Sequence, residues 1–211
     1  MSTSCASSSK TASGFTLLEV MVAATLTLLL LGLCFSFLIP ALRHSRHGAV
    51  QAELQQMATL SMRKLVDDIE KTNYSGISLR QDPVVLAIHP LVDVTPGGRR
   101  VYADSLIVYF YDSDNQVLKR RSWPPEPPTG IPHPGTEAGM RLSAAQLQMF
   151  PGESSGARNM ANSLAEFEIT HAGIGGFLQL PLTVRMVTES GSGQERERFE
   201  LVRTITLRNQ L

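Results

Sequence analysis

The chain has few of the features that usually equip or brace an exported domain. Its 211 residues include two cysteines, Cys5 in a polar, Ser-rich beginning and Cys34 in a long apolar run. No disulfide framework is therefore available, and any globular part must be held by its own core. An excess of charge is missing too, since 19 basic residues balance 19 acidic ones, which gives no ground for broad nucleic-acid binding. There is no nucleophile elbow, P-loop, Rossmann glycine pattern or paired-Cys motif, so neither enzymatic chemistry nor a cofactor is expected. Of the five histidines, His44, His47, His89, His133 and His171, only the first two stand close together. They lie three apart beside the apolar run and read as facing lipid headgroups, not a metal.

Between Val20 and Leu42 charge is missing altogether, over 23 residues. A helix rising about 1.5 Å per residue crosses a bilayer core of roughly 30 Å within that length. Glu19 stands at its head. A carboxylate inside a membrane segment costs about 2.5 to 3.5 kcal/mol on insertion scales, so such a residue is a functional candidate by default.

The residues around it, Gly14-Phe15-Thr16-Leu17-Leu18-Glu19, resemble the class III signal of type IV pilins and of the pseudopilins of type II secretion. The resemblance implies that prepilin peptidase cuts after Gly14 on the cytoplasmic side and methylates the new N-terminal Phe15. It also implies that Glu19 pairs with the terminal amine of a neighbouring subunit, setting register during assembly; in lipid such a pair neutralises two charges that neither partner could bury alone. An ordinary secretory signal fits poorly, because its apolar core runs about 7 to 15 residues and ends in a small-residue cleavage site. Lys10 precedes the span whereas Arg43, His44, Arg46 and His47 follow it. A positive-inside tally therefore opposes the orientation that the cleavage signal implies.

Past the span, Val50, Leu54, Met57, Ser61, Leu65 and Ile69 keep a spacing of three or four, with Gln51, Glu53, Gln55, Gln56, Arg63, Lys64, Asp68 and Glu70 between them. This predicts an amphipathic continuation of the helix to about Thr72, packed on the chain's own C-terminal part, with Pro40 and Gly48 as places to kink or fray. Asp67 and Asp68 read as a solvated helix end. Beyond Asn73-Tyr74-Ser75-Gly76 the pattern changes to strands: Val84 to Ile88, Leu106 to Tyr111, Gln116 to Arg121, Ala165 to Thr170, Leu178 to Thr188 and Arg198 to Arg208. Asp112-Ser113-Asp114-Asn115 and Gly191-Ser192-Gly193 are hairpin signals. Pro151 to Asn162 reads as a loop. The expected fold class is α+β, a long N-terminal membrane-spanning helix against a mostly antiparallel sheet. Its segments are a cleaved leader (1–14), a transmembrane part (15–42), an amphipathic part (43–72) and an exported β-rich domain (73–211).

In the globular part the chain is similar to J-type minor pseudopilins and PilW-like minor pilins. The supporting residues are Leu65-Val66-Asp67-Asp68-Ile69, the hairpin Val108-Tyr109-Phe110-Tyr111 returning through Val117-Leu118-Lys119-Arg120, and the closing Thr204-Ile205-Thr206-Leu207-Arg208-Asn209. The resemblance implies a minor subunit at or near a filament tip, anchored once in the bacterial inner membrane with its globular domain outside the cytoplasm. Its implied partners are prepilin peptidase, other pilins or pseudopilins, the inner-membrane assembly platform and membrane lipid. Trp123, Pro124 and Pro125 open a proline-rich island that reads as an exposed loop or, more sharply, as a contact surface for a partner. Asp112, Asp114 and Asn115 are weak candidates for Ca²⁺, since a hairpin turn wants the same residues. Two alternatives stand beside this reading. One is a signal-anchored exported enzyme or ligand-binding module, uncleaved and with a concave polar site. The other is a DNA-uptake tip subunit, hinted at by Lys119-Arg120-Arg121 with Arg99-Arg100.

Overall fold

The computed structural model describes residues 16–124, 138–152, 155–173, 181–191 and 196–207. The fold is α+β, and the chain forms two compact units, Met1–His47 and Gly48–Leu211.

Within the first unit the described residues belong to the beginning of α1 (Leu17–Glu70). Every side chain from Leu17 to Leu42 is exposed. Among the described residues this is the one segment long and apolar enough to cross a membrane. Its leucines, valines and phenylalanines are exposed, and lipid is the solvent that suits a helix apolar all round. The helix runs on through both Pro40 and Gly48. Proline removes a single i→i−4 bond, and glycine costs about 1 kcal/mol relative to alanine; both are small against a helix of 54 residues.

In the second unit the rest of α1 shows the expected stripe. Leu54, Ala58, Ser61, Met62, Leu65 and Ile69 are buried, while Glu53, Gln55, Gln56, Arg63 and Asp67 are exposed. The helix ends at Glu70, and a single 3₁₀ turn, Tyr74–Gly76, redirects the chain. Gly76 is required there: an added Cβ would lie 2.4 Å from Thr72 Oγ1 and 2.7 Å from the His89 carbonyl, closer than any side chain tolerates.

The strands follow in the order β1 (Ile77–Gln81), β2 (Val84–Ile88), β3 (Leu91–Val94), β4 (Arg100–Tyr102), β5 (Leu106–Asp112) and β6 (Val117–Trp123). A capped turn of helix, α2 (Ala144–Leu147), precedes β7 (Arg158–Ala161), β8 (Leu164–His171), β9 (Leu182–Ser190) and β10 (Glu197–Ile205). All pairings are antiparallel. One sheet has the order β1-β2-β5-β6-β7, a second β10-β9-β8, and β3 with β4 forms a separate ribbon.

The five-stranded sheet is buried on both faces, which accounts for the unbroken apolar run Leu106-Ile107-Val108-Tyr109-Phe110 in β5. Because side chains alternate, Ile107 and Tyr109 join Leu86, Ile88 and Leu118 in the core built with Met62, Leu65 and Ile69 of α1 and with Phe167, Ile169, Val184 and Met186 of the second sheet. Val85, Ala87, Leu106, Val108, Phe110 and Trp123 turn the other way, onto Leu142, Leu147 and Phe150.

Several expectations are corrected. β1, β3, β4 and β7 are strands that the sequence pattern does not announce, and β7 lies inside the stretch read as a loop. Each is short and at or near an edge, where a strong β-branched pattern is not needed. β6 runs on to Trp123, and β9 starts at Leu182. Trp123 is fully buried, so its side chain is a core element and offers no surface to a partner. Its position at the head of a proline run hides a strand end paired with Leu106.

Candidate functional site

Glu19 occupies the first turn of α1. The Thr16 backbone N–H and the Thr16 hydroxyl each donate to Glu19 Oε2 at 3.1 Å, and the Glu19 N–H donates to Thr16 Oγ1 at 3.3 Å. This reciprocal pattern is a capping box, in which a Thr at the N-cap and a Glu three residues later satisfy amides the helix cannot use itself. The carboxylate also faces the positive end of the helix dipole. The Thr-x-x-Glu signal is present in the sequence, hidden within the longer motif that first draws attention to Glu19. Gly14 and Phe15, the expected cleavage and methylation positions, lie outside the described residues.

A second carboxylate, at the far end of α1, is held by the fold. Asp68 is 1% exposed, which corrects the reading of a solvated helix end; only Asp67 beside it is open to water. Tyr109 on β5 donates its hydroxyl to Asp68 Oδ2 at 2.8 Å, and Arg120 on β6 donates Nε–H to the same oxygen at 2.9 Å. Lys64 reaches Oδ1 at 3.0 Å from one turn earlier. Tyr109 and Arg120 are directly opposite in the β5–β6 register, so one cross-strand pair presents two donors to the helix. Burial, then the neighbouring Asp68 anion, pushes the Tyr109 hydroxyl well above its ordinary value, which keeps it a neutral donor. The helix end carries no basic residue in its last turn; Lys64, Lys71 and Arg120 supply the positive charge that the dipole there favours.

His89 anchors the connection that follows. Its Nδ1 accepts from the Met140 amide at 2.9 Å, which leaves Nε2–H to donate to the Ala103 carbonyl at 2.7 Å. Burial lowers its pKa below the usual histidine value. This is a neutral structural histidine stacked on Tyr102.

Asp112, Asp114 and Asn115 close the β5–β6 hairpin. Asp112 accepts from Lys119 Nζ at 2.7 Å, from Asn115 Nδ2 at 2.8 Å and from the Asn115 amide at 3.1 Å. The Lys119 ammonium, then the Asn115 donors, hold its carboxyl at about 2. An oxygen site for a cation needs free oxygens, and here a lysine occupies the central one. Among the described residues no group of three or more His, Cys, Asp or Glu is arranged to hold a metal. Pro124 is half-buried beside Trp123, and Pro125 lies outside the described residues.

Residues 9–35 match the family model described as the prokaryotic N-terminal methylation motif. That motif indicates a pilin- or pseudopilin-type protein, a class that is typically structural. A signal of this kind implies processing by prepilin peptidase and assembly with other pilins. Together with one apolar N-terminal helix, it fits a membrane-anchored chain that spans once. No curated protein matches the chain, and no solved structure does either.

Proposed function

We propose that the chain is a minor subunit of a type II secretion pseudopilus or a type IV pilus, at or near the filament tip, acting by assembly and not by catalysis. The observation that carries this reading is the methylation motif, residues 9–35, at the head of an otherwise uncharged span. Prepilin peptidase removes residues 1–14 after Gly14 and methylates Phe15. Residues 15–42 stay in the inner membrane until extraction. The amphipathic part, 43–72, and the β-rich domain, 73–211, lie outside the cytoplasm and meet other tip subunits. The J-type minor pseudopilins and PilW-like minor pilins are the subfamilies that the β5–β6 hairpin and the closing strand favour.

In this reading Glu19 has two successive partners. Thr16 satisfies the carboxylate within the chain's own first turn, and the amine of a neighbouring Phe15 replaces that contact on assembly, as one charge neutralises another in lipid. Glu19→Ala should therefore be processed like the wild type yet fail to enter filaments, read by the mature fraction in membranes and the subunit content of sheared filaments. Normal incorporation of Glu19→Ala would remove the pairing role. Loss of processing would instead assign Glu19 to the peptidase.

A further inference from the structure

A groove of about 450 Å³ lies between the last part of α1, Thr59 to Glu70, and the closing strand, within the Gly48–Leu211 unit. Met62, Val66, Leu201 and Ile205 give it an apolar floor, and Arg63 and Arg203 stand exposed at its rim with Glu70. Four consecutive residues, Arg203, Thr204, Ile205 and Thr206, line it. Arg203 to Ile205 close β10 and Thr206 follows it, so the groove runs beside the end of this strand, whose side chains alternate between faces. β10 is an outer strand, paired to β9 on one side, and among the described residues no strand pairs with its other side. Such an edge presents unpaired amides and carbonyls.

The charges select what can lie there. Among the described residues neither Arg63 nor Arg203 has an acidic partner, whereas two other arginines on this sheet do: Arg185 Nε meets Glu200 at 2.6 Å, and Arg198 reaches Glu166 at 3.3 Å. Two guanidinium groups and one carboxylate border an apolar trough beside an outer strand. We infer that this groove binds an extended peptide segment of a partner protein, added as a strand to β10, with apolar side chains entering the trough and acidic ones meeting Arg63 and Arg203. Main-chain bonds would supply affinity, and the trough and the arginines specificity. The inference does not depend on the pilin reading, since it rests on the edge, the trough and the charges alone.

The test uses the full chain in detergent micelles with two blocked heptapeptides, one alternating Glu with Val and one alternating Lys with Val, each carrying a fluorophore. The Glu peptide should bind, raising its anisotropy and slowing amide hydrogen exchange within residues 201–206, while the Lys peptide binds at least about tenfold more weakly, because complementary charge sets the choice of partner. Arg63→Glu and Arg203→Glu alter exposed side chains, so the core stays intact. Each should weaken the Glu peptide about tenfold, and the double reversal should favour the Lys peptide. Equal binding of both peptides, slowed exchange elsewhere than in β10, or an unchanged affinity in both arginine variants would overturn the proposal. So would concentration-dependent pairing of the chain with itself through β10, which would make a second copy the occupant.

Discussion

Glu19 and Asp68 are carboxylates in the first and last turns of one helix, and their surroundings have nothing in common. Glu19 is exposed and bonded to Thr16 of its own turn, whereas Asp68 is buried and gathers Tyr109, Arg120 and Lys64 from two strands and the helix. The first arrangement is local and replaceable, because a different donor could take the carboxylate from Thr16 without breaking a contact to any other element. The second is global, because β5, β6 and α1 all lose a partner if the carboxylate goes. One helix thus carries an exposed carboxylate bonded within its own turn and a buried one committed to the fold.

Removing the buried acid should have the largest effect. Asp68→Ala leaves the Arg120 charge and the Tyr109 hydroxyl unmatched, and breaking a buried pair from one side costs about 3 to 5 kcal/mol. Urea unfolding of a fragment beginning at Gly48, which contains one whole compact unit, should show that loss. A change below about 1 kcal/mol, the size of an exposed ion pair, would place Asp68 in the same class as a surface acid.

Gly76→Ala comes next. The added methyl meets Thr72 and the His89 carbonyl, and overpacking of this kind costs about 1 to 3 kcal/mol. The same measurement reports it. Wild-type stability would mean that the turn after α1 is free to move and that the helix end is less tightly fixed than Asp68 implies.

At the other end of α1 the expected effect is local. Glu19→Gln weakens one cap, about 1 kcal/mol at most, and should speed amide exchange in the first turn of the helix in micelles while leaving unfolding of the Gly48–Leu211 unit unchanged. A shift in that unit's unfolding would contradict the separation between the two ends.

The smallest effect belongs to Asp112, a surface carboxylate that lies between the two extremes. Its folded pKa, about 2, is below the ordinary 3.8, so its contribution is complete above 3.8 and is lost as pH falls through 2. Because water reaches the hairpin turn, the loss should stay under about 1 kcal/mol. It should vanish from the difference between wild type and Asp112→Asn over that range. A difference that persists unchanged to pH 2 would show that Lys119 and Asn115 do not hold the carboxylate.

Legibility in the sequence follows the same division between local and global causes. The apolar span, the stripe from Leu54 to Ile69, β2 and the β5–β6 hairpin are local patterns, and each stands where periodicity puts it. Asp68 was not legible as a buried residue, because its partners Tyr109 and Arg120 lie 41 and 52 positions away and nothing beside it in the chain announces them. Trp123 misleads for a related reason: prolines follow it in sequence, whereas in space it is paired with Leu106 and shares a buried cluster with Phe110 and Phe150. The edge strands β1, β3, β4 and β7 carry weak patterns because burial on one side, or none, asks little of their side chains. The capping pair Thr16 and Glu19 was fully legible, three residues apart, although the motif containing it points to a different role.

The central claim is that the chain is a processed, filament-type subunit, and the most direct test is the intact mass and N-terminal sequence of the protein isolated from membranes with and without prepilin peptidase. A mature chain beginning at methylated Phe15 only when the peptidase is present is the predicted result. An uncut chain beginning at Met1 or Ser2 in both preparations would contradict it and leave a signal-anchored module in its place.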